Sequence, residues 1–352
     1  MNTPLSVLDL SPVDTGTSSR EALQNTLRLA QLADRLGYTR YWVAEHHNSS
    51  MTASSTPELL IGYIAQATEH IRVGSGGMML PNHSSLKVAE TFRLLEAMHP
   101  GRIDLGIGRA PGTDPKTALA LRGSKETHGS DDFLGQLMEL FAFVGERGGF
   151  PDMHPFKAVR AVPTDVVLPP VWLLGSSDYS AQAAAALGLG FAFAHHINPA
   201  LAVPAIHLYR TTFKRSERLQ QSRVILTTSV VCADTDERAE ELATSMGLAW
   251  VRLVSGRSGP LPSPEEAKAY PYTAAEQAIV RDYRSRQTVG TPAAVRKRLL
   301  ELQEQTGADE LMITAMMYGY ENRARTYELL AEAFELQSAT VSSEQATLTP
   351  IH

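Results

Sequence analysis

The sequence predicts an α/β fold, a (β/α)8 barrel with insertions, and three observations carry that expectation. Short β-rich runs alternate with amphipathic helical stretches along the 352 residues, the pattern of a parallel sheet wrapped in helices. The β-rich runs number eight, the count that closes such a barrel. Three junctions, at Leu36-Gly37, Leu187-Gly188 and Thr306-Gly307, repeat a helix-Gly-strand form, as expected where a left-handed glycine ends a helix before the next strand.

The first strand is expected at 6–10, followed by a helix over Ser19–Leu36 in which Leu23, Leu27 and Ala30 recur at helical spacing. Strand two follows at 41–44. Next come a helix at 57–69 with Pro57 in its first turn, a long third strand at 71–80, a helix at 84–98 and strand four at 102–108. After the Gly- and Pro-containing stretch 110–115, a helix is expected at 132–146 and an irregular excursion at 148–170. Strand five (171–174), a helix (179–187), strand six (191–195), a helix (199–218) and strand seven (224–231) continue the rhythm. A helix at 237–254 leads into 255–271, whose Gly, Pro and Ser content reads as a long loop. Thr291 and Pro292 cap and start a helix carrying Val295, Leu299 and Leu302, and strand eight is expected at 310–316. One domain over 1–337 is expected, with the small and polar residues of 338–352 as a disordered tail.

Composition narrows the class. Hydrophobic residues make up 43% and charged residues 20%, enough to bury a large core without metals or disulfides. A formal charge of -6 offers no basic field for a nucleic acid. No basic leader and no long apolar run occur, so no membrane span is expected and a cytoplasmic location is. Cys232 is the single cysteine, which excludes an internal disulfide or a thiolate metal cluster and suits a reducing compartment. No Gly-x-Gly-x-x-Gly opens a helix after a strand and no P-loop occurs, which argues against Rossmann and NTPase sites and leaves a mononucleotide on the barrel mouth.

Sites of such barrels lie where strands end and loops begin, and polar clusters stand there. Strand two ends in Glu45-His46-His47, strand three contains Gly74-Ser75-Gly76-Gly77, strand four ends in Gly108-Arg109, strand five in Gly175-Ser176-Ser177 and strand six in His195-His196. A histidine at a strand end is a structural hydrogen-bonding residue or a catalyst. Neighbouring residues of a strand point to opposite faces, so one member of each pair can face a shared site. That parity argues against a metal drawing two ligands from one strand, and no metal site is expected. Glu45 fixes a histidine tautomer, pairs with Arg109, or does both. Arg109 needs an anion, a carboxylate or a phosphate. The serines after strand five form a phosphate cradle at a helix start, or Asp178 merely caps that helix. Gly76-Gly77 implies either a ligand ring against bare peptide or a bulge.

Taken in order, Tyr41-Trp42-Val43-Ala44-Glu45-His46-His47, Arg72-Val73-Gly74-Ser75-Gly76-Gly77-Met78-Met79-Leu80-Pro81, Gly101-Arg102-Ile103-Asp104-Leu105-Gly106-Ile107-Gly108-Arg109 and Val289-Gly290-Thr291-Pro292 resemble the bacterial luciferase-like flavin-dependent monooxygenases, in particular their single-chain oxidoreductases. The resemblance implies a barrel binding FMN at its C-terminal mouth, with reduced FMN supplied by a separate NAD(P)H:flavin reductase and with O2 and a small organic substrate as reactants. It matches Gly76-Gly77 to the family's non-prolyl cis peptide beside the flavin ring. Arg109, Ser176, Ser177 and Ser180 match its phosphate site, and His46 its catalytic base, with Glu45 beside it. It further implies a homodimer through the helices at 57–69 and 84–98, and a mobile lid at 255–271. Gly108 departs from the light-emitting enzymes, which carry a reactive cysteine there, so light emission is not expected. A non-catalytic flavin-binding relative and a deazaflavin-dependent dehydrogenase share the fold and stand as alternatives.

Overall fold

A computed structural model describes residues 3–122 and 132–337. Its strands are β1 (Leu5–Asp9), β2 (Arg40–Val43), β3 (Arg72–Ser75), β4 (Met78–Met79), β5 (Ile103–Gly108), β6 (Val171–Gly175), β7 (Gly190–Ala194), β8 (Val224–Cys232), β9 (Gln287–Gly290) and β10 (Glu310–Thr314). All pair in parallel, and β10 joins both β1 and β8, which closes the ring. Because β3 and β4 share one position and β9 lies outside the ring on the far half of β8, the barrel has eight positions among the described residues. This is the predicted (β/α)8 architecture.

Helices alternate with these strands for local reasons visible in the sequence. The helix α1 (Ser19–Leu36) starts at a capping box between Ser18 and Glu21 and stops at Gly37, whose φ of 84° only glycine adopts without strain. Further round lie α2 (Pro57–Gln66), α3 (Ser85–Met98), α4 (Pro115–Arg122), α5 (Phe133–Phe143), α6 (Asp178–Leu187) and α7 (Ala202–Thr212). The chain closes with α8 (Asp236–Val254), α9 (Pro264–Ala269), α10 (Ala274–Arg284), α11 (Pro292–Thr306) and α12 (Tyr320–Ala333).

Several expectations are corrected. The third strand is not continuous over 71–80: a cis peptide at Gly76-Gly77 separates β3 from β4, and Leu80–Asn82 form a 3-10 turn. The segment 255–271 is not one loop. Leu261 is clasped between Val13 and Thr15 by two backbone hydrogen bonds, and α9 follows, capped by Ser263 with Pro264 in its first turn. The helix expected at 199–218 is a 3-10 turn, Pro199–Leu201, followed by α7, which ends when Phe213 turns extended. Helices α2 and α5 stop three residues short of their expected ends, at Gln66 against 69 and Phe143 against 146. The tail expected at 338–352 lies outside the described residues.

The barrel interior is layered, and the layers decide where a site can lie. At the N-terminal end Arg40 makes a bidentate pair with Glu310 (2.6 and 2.9 Å) and a third bond to Asp104 (2.7 Å). Arg72 and Trp42 Nε1 also donate to Asp104, and Ser6 to Glu310. Burial opposes the charge on Arg40, but the two carboxylates outweigh it and hold its pKa above the ordinary arginine value. Above this plug Leu8, Trp42, Ala192, Ile225 and Met312 fill the middle of the barrel, with Trp172 and Leu174 against them. The outer faces of the strands pack against the helices in one continuous apolar core.

Candidate active site

The plug and the apolar layer leave space at the C-terminal mouth, where a cavity of about 280 Å³ opens. Strand parity selects its lining. Ala44 then His46 follow β2, while Ala192 and Ala194 within β7 and then His196 after it line the opposite side. Leu8, Leu10, Leu174 and Ile197 make apolar wall, and Gly76 and Gly108 present backbone. At Gly76 a Cβ would lie 2.5 Å from Leu8 Cδ1, and at Gly108 2.7 Å from Met79 Sδ, so no larger residue fits either place without its neighbour moving.

Of the residues expected at the site, the cavity gathers His46, Gly76, Arg109, Ser176, Ser177 and Ser180. Gly77 sits beneath it: its Cβ position faces Leu174 and Gly106. Glu45 lies elsewhere. As parity demands, its fully buried carboxylate points out of the barrel, accepting from Met79 N (2.8 Å), Asn82 Nδ2 (3.1 Å), His47 Nε2 (2.8 Å) and His83 Nε2 (3.0 Å). It thus pairs with neither Arg109 nor the His46 ring. Burial would raise the Glu45 pKa, but the hydrogen bonds and charge of His83, with the Met79 amide and His47, hold it below the ordinary carboxylate value. His83 is disfavoured as a cation by burial, yet Glu45 outweighs that and raises it. The sequence reading missed His83, because only the backbone turn Leu80–Asn82 brings it back to Glu45.

Arg109 is exposed, with its guanidinium 4.2 Å from the centroid of the Tyr179 ring. No carboxylate pairs with it among the described residues. Beside it the chain turns at Ser176, whose carbonyl accepts from Asn198 Nδ2 (3.3 Å), and enters α6. The N-cap is Ser177, not Asp178, and its side chain makes no capping bond, so the first-turn amides and the hydroxyl stay available. A lone guanidinium, hydroxyls and a helix N-terminus on one rim are groups able to hold an anion.

Inside the rim the two imidazoles differ. Neither nitrogen of His46 has a hydrogen-bond partner among the described residues, and its Nδ1 is buried. Burial, and to a lesser degree His47, hold its pKa below the ordinary value against the pull of Glu45. The His196 Nδ1 lies 3.1 Å from the Thr227 carbonyl. Burial keeps this ring too below the ordinary value, with His46 a smaller influence in the same direction. His195 turns outward, its Nδ1 3.4 Å from the Thr228 hydroxyl, and burial pushes its pKa down to about 4. Among the described residues no three His, Cys, Asp or Glu side chains converge as metal ligands, and no helix is long and apolar enough to cross a membrane.

Comparison with known proteins places this geometry. The family described as luciferase-like monooxygenase matches residues 3–310. A luciferase-like monooxygenase of Escherichia coli strain K12 is 44% identical over 331 residues, covering 94% of this chain and 96% of its own. An N-acetyl-S-alkylcysteine monooxygenase of Bacillus subtilis strain 168 is 37% identical over 337 residues, covering 94% and 97%. The crystal structure of apo-MsnO8 superposes with a TM-score of 0.87 at 40% identity, covering 96% of this chain and 99% of that one. The fold alone is shared with the FMN complex of a diketocamphane monooxygenase (19% identity, TM-score 0.69, 96% and 100% covered) and with an F420-dependent alcohol dehydrogenase (13%, 0.67, 96% and 100%).

The Glu45 cluster carries a pH signature. A histidine raised on folding contributes stability below its unfolded value, near 6.5, and loses it as pH rises through the raised value. A carboxylate lowered on folding contributes above its unfolded value, near 4.5, and loses it as pH falls through the lowered one. The pair therefore contributes fully between those two values. Glu45→Gln should cost about 1.5–3 kcal/mol near pH 6 and less near pH 9, measured by urea denaturation; an equal loss at both would contradict the pairing.

Proposed function

The chain belongs to the luciferase-like monooxygenase family, and from that premise we propose that it is an FMN-dependent monooxygenase. In this reading it takes reduced FMN from a separate NAD(P)H:flavin reductase and, with O2, oxygenates a small organic substrate. The observation that carries the reading is Arg109, a cation without a carboxylate partner among the described residues, beside the open N-terminus of α6 at the rim of an otherwise apolar cavity.

The residues present fit the cofactor. Arg109, with the hydroxyls of Ser176, Ser177 and Ser180 and the α6 amides, would hold the phosphate. The bare peptide at Gly76-Gly77 and the side chains of Leu8 and Leu174 would receive the ring. Reduced flavin supplies the two electrons with which O2 is split between an oxygenated product and water. The apolar walls exclude water from the reacting groups. His46, neutral and unpartnered on both nitrogens among the described residues, is free to take or return a proton at a ring nitrogen. Glu45 acts at one remove, holding β4 and the Leu80–Asn82 turn against the end of β2. The reading includes a cytoplasmic setting, in keeping with a single buried cysteine, Cys232. A deazaflavin would offer the same rim a phosphate, and the shared fold of the F420-dependent dehydrogenase keeps hydride transfer as the second reading; a preference for F420 over FMN in binding would select it.

Arg109→Ala should weaken FMN binding by roughly 2 to 3 kcal/mol while leaving riboflavin binding nearly unchanged. Equal affinity of the wild-type protein for FMN and riboflavin would sink the phosphate assignment.

His46→Ala should keep the melting temperature and the FMN affinity, and change the single-turnover oxidation of bound reduced FMN by O2 by roughly 100-fold. A destabilised variant with an unchanged oxidation rate would remove His46 from the reaction.

We also propose a homodimer through α2 and α3, on which Leu59, Tyr63, Leu94 and Met98 stand exposed, Leu59 to 72%. Light scattering should give twice the chain mass, and the pair Leu59→Asp with Leu94→Asp a monomer. A wild-type monomer at every concentration would contradict it.

A further inference from the structure

In the ring order of the barrel β2 and β7 stand diametrically opposite, separated by β3, β5 and β6 on one side and by β8, β10 and β1 on the other. Each strand ends in a histidine pair, and β2 sends the first of its pair and β7 the second into the same cavity above small alanines: His46 above Ala44, His196 above Ala192 and Ala194. The two rings therefore face one cavity from opposite walls. They are chemically unlike. The Thr227 carbonyl lies 3.2 Å from the His196 backbone nitrogen and 3.1 Å from its Nδ1. A carbonyl can only accept, so the hydrogen of the neutral ring sits on Nδ1 and Nε2 keeps its lone pair. Among the described residues nothing donates to that Nε2.

We propose that His196 presents a fixed hydrogen-bond acceptor, its Nε2, to the molecule bound in the cavity, and that this molecule carries an O–H or N–H donor on its β7-facing side. A histidine merely satisfied in the core would have both nitrogens engaged, or would face outward as His195 does. The environment also keeps the ring uncharged: it is half-buried and largely desolvated, and the other imidazole of the cavity stands across from it. An acceptor whose tautomer the backbone has set cannot rotate into a donor, so it selects what binds. The inference rests on the reading of this cavity as the flavin and substrate site. The donor then belongs either to the flavin, which carries ribityl hydroxyls and ring N–H, or to the organic substrate.

The test is taken first without cofactor, so that it does not depend on that reading. Correlation spectra of 15N-histidine-labelled protein at neutral pH, with His196→Phe and His196→Gln each used for assignment, should show a neutral ring protonated at Nδ1. FMN is then added, and in a parallel sample 1-hexanol or its methyl ether. A shift of the Nε2 resonance with FMN, with FMN binding roughly 2- to 10-fold weaker in His196→Phe, assigns the donor to the cofactor. A shift with the alcohol and not the ether, with FMN affinity retained, assigns it to the organic substrate. Hydrogen on Nε2, a charged ring at neutral pH, or a resonance that neither FMN nor the alcohol moves would each overturn the proposal. Failure of FMN to bind would defeat the proposed function while leaving the tautomer and the alcohol arm to decide this one.

Discussion

The Arg40 ion cluster is the constraint on which the rest depends. Arg40 from β2, Arg72 from β3, Asp104 from β5, Glu310 from β10 and Ser6 from β1 meet inside the barrel floor. Five of the eight positions are thereby tied to one another by side chains as well as by backbone pairing. Desolvating these groups is expensive, and only their mutual satisfaction repays it; leaving one such charge without its partner costs about 3–5 kcal/mol. The cluster therefore fixes which strands meet at the floor and in what register more than it adds net stability.

With the Arg40 cluster across the floor and an apolar layer filling the middle, the apolar cavity lies at the C-terminal mouth, and the pleat of each strand then sorts its residues. With Arg40 and Trp42 inward, Ala44 and His46 are inward as well, while Glu45 is outward and must find partners outside the barrel. It finds them in Met79, Asn82, His47 and His83. The same carboxylate that stands next to His46 in sequence thus acts on the β4 turn, and through Met79 on the wall beside Gly108. Adjacent letters in the sequence serve opposite faces of one wall.

The barrel was legible because its signals are local and repeated: eight apolar runs, helices stopped by Gly37, Gly188 and Gly307, and caps such as Thr291-Pro292. The strand β9 was not, since four residues, Gln287–Gly290, carry no period, and they pair only because β8 runs on past β10. Helix α9 was hidden by the Gly and Pro content around it, and α10, which contains neither, lay beyond that stretch and went unassigned, although Ser263 and Thr273 each cap a helix with a glutamate three residues on. Reading the caps before the Gly and Pro content would have found both. Helix α4 went unassigned although Asp114 caps it, its carboxylate accepting from Lys116 N and Thr117 N, and α12 went unassigned because it follows Gly319, which has no side chain to cap it. At the site, parity told that one histidine of each pair faces inward but not which, and His83 was invisible because its partner lies 38 positions away.

The electrostatics of the mouth follow from the same layering. Arg109 stands at the rim, where water and a π face support its charge, whereas His46 and His196 lie deeper and are held neutral by burial. Two imidazoles facing one small space oppose each other's protonation, so the interior resists taking on net charge while the rim carries a full positive one. On the proposed reading an anionic group would be drawn to the rim and an uncharged one to the interior, and a molecule with a phosphate at one end and a flat apolar body at the other would enter in a single orientation. Orientation would then be set by where a charge is tolerated: at the rim, where Arg109 stands, and not in the interior, where both imidazoles are held neutral.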